Sequence, residues 1–278
     1  MSVPTRTAAP ATAPLPGSRT TARRRAGAED DPFVPPILHA RPGGLAERFS
    51  ARLDGRHPAL VFFAAVLLGF ALVAALSIGV GYLVNHVLLP FAGIGAADES
   101  VNVWLAGHRT ATDTDISAVG SAVGGAPVLP ILIGIIALVL LALRRWRLAA
   151  FVVFALAVES ALYRVTTLAI HRHRPDVARL EQLPVNASYP SGHTAASVAV
   201  YSGIALLLTS RFTDGRFRVL AWAAAVAVTL LVASSRMYRG MHHPSDPIAG
   251  AILGMAALVI LVFACRAAGV AARARVAA

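Results

Sequence analysis

The stretch PALVFFAAVLLGFALVAALSIGVGYLV, residues 58–84, contains no charged side chain. As a helix it is long enough to cross a bilayer, since about 20 residues at roughly 1.5 Å each cover the hydrocarbon layer. Five further apolar segments follow, at Val123–Leu143, Leu148–Ile170, Ser191–Thr209, Val219–Ser234 and Pro247–Cys265. Val219–Ser234 is short and must borrow flanking residues to span. The runs are continuously apolar rather than alternating, so helices, not barrel strands, satisfy the backbone in lipid. With 56% of residues hydrophobic and 14% charged, the chain is too apolar for an ordinary soluble domain. The pattern predicts an all-α, polytopic membrane protein with about six transmembrane helices in a bundle over residues 58–268.

Outside that bundle, residues 1–57 include TARRRAGAEDD and many Pro and Ala, and read as a disordered basic tail. Residues 269–278 read as a short C-terminal tail. The first apolar run starts too far along the chain for an ordinary cleaved signal peptide and reads as a retained anchor. A single cysteine, Cys265, excludes an internal disulfide.

The net charge of +11 rests on arginine alone, because the chain contains no lysine. Many arginines lie in the N-terminal tail, in RRWR (144–147), in SRFTDGRFR (210–218) and in CRAAGVAARAR (265–275). Six spans with an inside N-terminus put all four stretches on the cytoplasmic side, as the positive-inside rule requires. Both termini are then cytoplasmic, and the outer loops are about 85–122, 171–190 and 235–246. Arginines dispersed beside apolar spans argue against nucleic-acid binding. Within the first outer loop, ADESVNVWLAGHRTATDTD is partly amphipathic and reads as an interfacial helix. The other two loops, HRHRPDVARLEQL (171–183) and SSRMYRGMHHPSD (234–246), carry arginine where the rule disfavours it. Charges held there against the bias point to a site that grips an anion.

Three clusters lie in or beside those loops. Arg174-Pro175 follows the third span. Pro190-Ser191-Gly192-His193 opens the fourth, where unpaired backbone N–H groups and the helix dipole favour an anion. Ser235-Arg236, His242 and Asp246 precede the sixth. A carboxylate spaced to orient an imidazole makes its other nitrogen a directed nucleophile or base. Two histidines, two arginines, a serine and a helix N-terminus fit phosphoryl transfer, with arginines spreading the charge on phosphoryl oxygens. One histidine attacks phosphorus and the other protonates the leaving oxygen. Few carboxylates accompany the histidines and the arginines repel cations, so no metal and no cofactor are expected.

From about Leu148 to Gly254 the sequence resembles the type-2 phosphatidic acid phosphatase superfamily, which also includes vanadate-dependent haloperoxidases. The signature is an Arg-Pro preceded by a lysine, then Pro-Ser-Gly-His, then Ser-Arg, five residues, His, three residues, Asp. The second and third parts are complete here. The resemblance implies a metal-independent phosphatase with an active site at the extracytoplasmic helix ends. His242 is then the nucleophile that forms a phosphohistidine, Asp246 its orienting partner, and His193 the acid and later the base. Arg174, Arg236, Ser191 and the Gly192 amide hold the phosphate. The family's lysine position is Thr167, which brings a hydroxyl but no charge; Arg164, His171 and Arg172 are candidates to supply it, with Glu159 an alternative partner for Arg164.

The expected function is a membrane lipid phosphatase acting in the bilayer on a phosphomonoester or on the terminal phosphate of a lipid diphosphate, either a polyprenyl diphosphate such as undecaprenyl diphosphate or a phosphatidate-type lipid. A haloperoxidase shares the site but is normally soluble. A non-catalytic carrier or binding protein for anionic lipids is the alternative, although it needs the arginines without the two histidines.

Overall fold

The computed structural model describes residues 34–91, 93–212 and 214–277. Its helices are α1 (Leu45–Ala51), α2 (Pro58–Leu83), α3 (Ile94–Gly107), α4 (Ala111–Val123), α5 (Val128–Ala142), α6 (Trp146–Ala169), α7 (Gly192–Ser197), α8 (Gly203–Arg211), α9 (Gly215–Tyr238) and α10 (Ser245–Ala277). A π-helical turn at Val84–Leu88 prolongs α2, and another at Val198–Ser202 joins α7 to α8. There is no strand among the described residues, only an isolated bridge between Arg172 and Ala187. The protein is all-α and membrane-integral. Among the described residues, five helical stretches are long and apolar enough to cross a bilayer, or six if the bent pair α4–α5 counts as one span.

That pair corrects the second span. Val123–Leu143 was expected as one apolar helix, but α5 has only 15 residues, too few to cross alone. The remainder is α4, which hydropathy assigns to the outer loop because it carries Thr, Asp and Ser. Thr110 caps α4 by accepting the Asp113 N–H at 3.1 Å. The helices meet at an angle of 43°. The Tyr201 hydroxyl donates to the Val123 carbonyl at 2.9 Å, so one carbonyl left open by the break is satisfied.

Helix α10 is the spine of the bundle. Its buried face (Leu253, Ala257, Ile260, Ala264) packs with Ala65, Val66 and Ala74 of α2, with Val158 and Leu162 of α6, and with Ala195 of α7. Small residues set the spacing: a methyl group at Gly254 would collide with the Ala195 carbonyl, so α7 lies directly against α10. A second core joins Leu129 and Ile133 of α5 to Phe151 and Val152 of α6, Val200, and Leu258 and Leu261 of α10. Large apolar side chains on the outer faces, such as Leu67, Leu72, Leu138 and Ile252, are more than half exposed, as expected of a surface that meets lipid. Val219–Ser234 does borrow its flanks, giving a 24-residue α9 capped by Asp214.

The ends depart from expectation. Residues 1–33 of the tail read as disordered lie outside the described residues, but the tail's remainder is packed against α10. Phe49 of α1 packs edge-to-face on Phe263 at 5.5 Å, and Arg266 donates to the Ile37 carbonyl at 2.8 Å. The composition of the tail hides these few anchoring residues. At the other end, α10 continues past 268 to Ala277.

Candidate active site

The site forms where the ends of α4, α7, α9 and α10 meet the segment 171–191. That segment folds on itself: the Arg174 N–H donates to the Val185 carbonyl at 2.9 Å and the Ser188 N–H to the Arg172 carbonyl at 3.1 Å. Ser188 is thereby fixed beside Arg172, and Arg174 beside Val185.

At its centre lies Asp246, fully buried in the first turn of α10. Its Oδ2 accepts from the Ser188 hydroxyl at 2.5 Å and the His243 N–H at 2.9 Å. Its Oδ1 accepts from Arg172 Nη1 at 2.5 Å. The Asp246 carbonyl accepts the Ser191 N–H at 3.0 Å, which links α10 to the start of α7.

His242 is held differently from the expected His–Asp pair. Its Nδ1 lies 2.7 Å from the Ser188 carbonyl and 3.6 Å from Asp246 Oδ2. A carbonyl only accepts, so Nδ1 carries the hydrogen and Nε2 keeps its lone pair. The Asp246 carboxylate acts at one remove, through Ser188 and by its charge. Burial pushes the His242 imidazole down to about 4, with Asp246 opposing the shift and Arg236 and Arg174 adding to it. The ring is therefore neutral at physiological pH.

Arg236 is fully buried. Its Nη1 donates to the Ser121 hydroxyl and to Glu181 Oε2, both at 2.6 Å. Its Nε and Nη2 are buried without a partner. Leaving charged donors unpaired in a dry site costs more than a hydrogen bond contributes, so these nitrogens can take the oxygens of an anion. Arg174 donates to the carbonyls of Pro184 and Ala187, both at 2.8 Å, and of Met241. It is anchored by the backbone yet close enough to Arg236 and Asp246 to feel their charges.

His193, in the first turn of α7, is within electrostatic reach of Arg236, His242, Glu181 and Arg174. It lies against the α4–α5 break, where a Cβ on Gly125 would fall 2.7 Å from His193 Nε2. The structure thus brings His193, Arg174, Arg236, His242 and Asp246 together. Ser191 is in the same cluster, but it is fully buried and its hydroxyl pairs with that of Thr194 at 3.0 Å. At Gly192 a Cβ would lie 2.9 Å from the Tyr163 ring, so the missing side chain also admits a tyrosine.

The candidates for the missing positive charge do not converge. Arg164 and His171 are exposed. Glu159, the alternative partner for Arg164, is buried and receives a hydrogen bond from Ser160 instead. Arg172 is buried, but its charge is taken up by Asp98 at 2.6 Å and Asp246 at 2.5 Å. Thr167 keeps a buried hydroxyl oxygen without a partner.

Sequence reading missed Asp98, Asn102, Ser121, Glu181 and Ser188. Glu181 receives Arg236 and Arg239 at 2.6 Å each. Burial pushes its carboxyl up, but the two guanidiniums and the Ser121 hydroxyl outweigh it and hold the group at about 2. Its one visible signal is an acid set among outer-loop arginines. Among the described residues, no group of three His, Cys, Asp or Glu side chains is placed to hold a metal ion.

Residues 148–268 match the family model described as PAP2 superfamily. Over 75 residues the chain is 40% identical to the undecaprenyl-diphosphatase of Sulfolobus acidocaldarius, covering 27% of this chain and 32% of that protein. Over 98 residues it is 32% identical to phosphatidylglycerophosphatase B of Bacillus subtilis, covering 35% of this chain and 48% of that one. The chain thus spans about a third of the length of the first of these curated relatives and about half of the second. The crystal structure of a transmembrane PAP2-type phosphatidylglycerolphosphate phosphatase from Bacillus subtilis shares the fold, with a TM-score of 0.58 at 24% identity over 71% of this chain and 92% of that one.

Proposed function

Because residues 148–268 belong to the PAP2 superfamily, we propose that this chain is a membrane lipid phosphatase acting through a phosphohistidine on His242. The observation that carries the reading is the buried Arg236 guanidinium, with two nitrogens unpartnered, within electrostatic reach of a neutral, oriented His242. A phosphoryl group seated on Arg236 and Arg174 presents phosphorus to His242 Nε2. The Nε2–P bond forms as the P–O bond to the lipid breaks, and His193 gives its proton to the departing oxygen. Water, deprotonated by His193, then attacks phosphorus, the N–P bond breaks, and inorganic phosphate leaves. The arginines stabilise charge on the equatorial oxygens in both steps. Ser188 and Asp246 hold the imidazole in the reactive tautomer.

The substrate class follows from the place of the site, at helix ends where a headgroup lies while its chains stay among the spans. A polyprenyl diphosphate fits, as does a glycerolipid phosphomonoester, and the curated relatives are named for one of each. Phosphate release from purified protein, measured over undecaprenyl diphosphate, phosphatidate and phosphatidylglycerophosphate, tests the reading. Turnover is expected to survive EDTA, because guanidiniums rather than a cation neutralise the phosphoryl charge, and vanadate is expected to inhibit. No release from any of the three lipids would overturn the proposal, and loss in EDTA restored by magnesium would overturn its metal independence.

We further infer that the site opens extracytoplasmically, with both termini cytoplasmic; the four arginine-rich stretches support this orientation. Gln182 is exposed beside the site. A Gln182→Cys variant with Cys265→Ser is expected to react with an impermeant thiol reagent in intact cells. Labelling only after lysis would reverse the orientation.

A further inference from the structure

Helix α3 lies outside the segment that matches the family model and is not among the helices able to span. One face of it nevertheless grips the chain on both sides of His242. Asn102 Nδ2 donates to the His242 carbonyl at 2.9 Å and to the Met237 carbonyl at 3.2 Å, tying the last turn of α9 to the nucleophile's own backbone. Asp98 caps α10 from outside: its Oδ1 accepts the Ser245 N–H at 3.0 Å and its Oδ2 the Ser245 hydroxyl at 2.6 Å. The same Oδ2 receives Arg172 Nη2 at 2.6 Å, and Arg172 reaches on to Asp246. Glu99 Oε2 lies 2.8 Å from His243 Nε2, and Glu99 Oε1 accepts the Asp176 N–H at 3.0 Å.

Asn102 and Asp98 are 1% and 9% exposed, yet the Asn102 Nδ2 and both Asp98 oxygens are spent on the loop between α9 and α10 and on its flanks. Asp98 and Asn102 share one face at i, i+4, with Glu99 on its flank, while Trp104 is more than half exposed on the opposite side. A tryptophan so exposed suits the interfacial region of a bilayer.

We propose that Asn102 and Asp98 are positioning residues for the nucleophile, and that α3 is a brace, seated at the membrane interface, that sets where His242 Nε2 points. The inference rests on the phosphatase reading. Neither residue touches the phosphate seat; each acts through the backbone of His242, Ser245 or Met237, or through Arg172. A misplacement of about 1 Å at a reacting centre costs on the order of 100-fold in rate.

The test uses the full chain in detergent, with dioctanoyl phosphatidate and undecaprenyl diphosphate as probes, and compares Asn102→Ala and the isosteric Asp98→Asn with wild type. Each is expected to lower kcat by about 10- to 100-fold with KM within about threefold, because the arginines that bind the headgroup stay in place. A kcat within about twofold of wild type in both variants, or a loss confined to KM, overturns the inference. If Asn102→Ala does not accumulate, Asp98→Asn decides alone by the same criterion. His242→Ala, assayed alongside, separates the two claims. Retained activity there removes the phosphatase reading itself, whereas an inactive His242→Ala beside unaffected α3 variants removes only the brace.

Discussion

Replacing His242 with alanine is expected to lower phosphate release by about 10⁴-fold or more, since on the proposed route it removes the covalent nucleophile and with it the reaction path, not merely a contact. The variant should still fold. The ring makes one side-chain hydrogen bond, to the Ser188 carbonyl, and the contacts of Asp246 with Ser188, Arg172 and the His243 N–H do not need it. Wild-type-like turnover in His242→Ala would remove the phosphohistidine route. The same group fixes a pH signature. Its value falls from the ordinary 6.5 to about 4 in the folded protein, and Nε2 must be unprotonated to attack. The acid limb of kcat/KM attributable to this group is therefore expected near pH 4 rather than 6.5. The sign for stability follows the depressed value. Between those two pH values the unfolded chain binds a proton that the folded chain refuses, so this group's contribution to stability is whole above about 6.5 and declines as pH falls toward 4. An acid limb centred at 6.5 in the wild-type profile would show that His242 is not buried as described.

Asp246→Ala carries the second large effect, on stability as well as rate. The carboxylate is fully buried and receives Arg172, the Ser188 hydroxyl and the His243 N–H. Removing it leaves a buried guanidinium with one carboxylate partner, Asp98, and two donors with none. Breaking such a buried pair costs about 3–5 kcal/mol. Denaturant unfolding in detergent is expected to show a loss of that order, with Asp246→Asn losing less because it preserves shape and an acceptor. The alanine variant should also be nearly inactive, as the Ser188 carbonyl that orients His242 loses its anchor. A stability change below about 0.5 kcal/mol would mean that Arg172 and Asp98 alone hold this region.

Hydropathy made the bundle legible, and motif spacing made the centre of the site legible, for a shared reason: both patterns are local in sequence. His242 and Asp246 lie four residues apart, one just before α10 and one in its first turn, and Pro190 to His193 open α7 as a contiguous stretch. What escaped is polar but non-local. Ser117 and Ser121 depress the hydropathy of α4, yet they reach Arg239 and Arg236 across the bundle. Asp98 and Asn102 look like the polar side of an interfacial helix, and no periodicity reveals that their partners lie 147 and 140 residues away. Arg164 fails for a geometric reason. At about 100° per residue, a shift of three positions from Thr167 turns a side chain far enough to leave the protein, and in α6 it does so.

Those long separations bear on the order of events at the ribosome. Apolar helices enter the bilayer one after another, and their association is a later step. Here Asp98 and Asn102 of α3, Ser121 of α4, Arg174, His193, Arg236 and finally Asp246 emerge over most of the length of translation. The residue that gathers Ser188, Arg172 and the His243 amide is the last of them to arrive. A nascent chain halted just before Ser245 would already hold every earlier span but no Asp246 and no α10 spine. Until that helix is in place, Arg172 lacks one of its two carboxylates and the Ser188 hydroxyl lacks its acceptor. On the proposed reading, the site is complete only once α10 has joined the bundle.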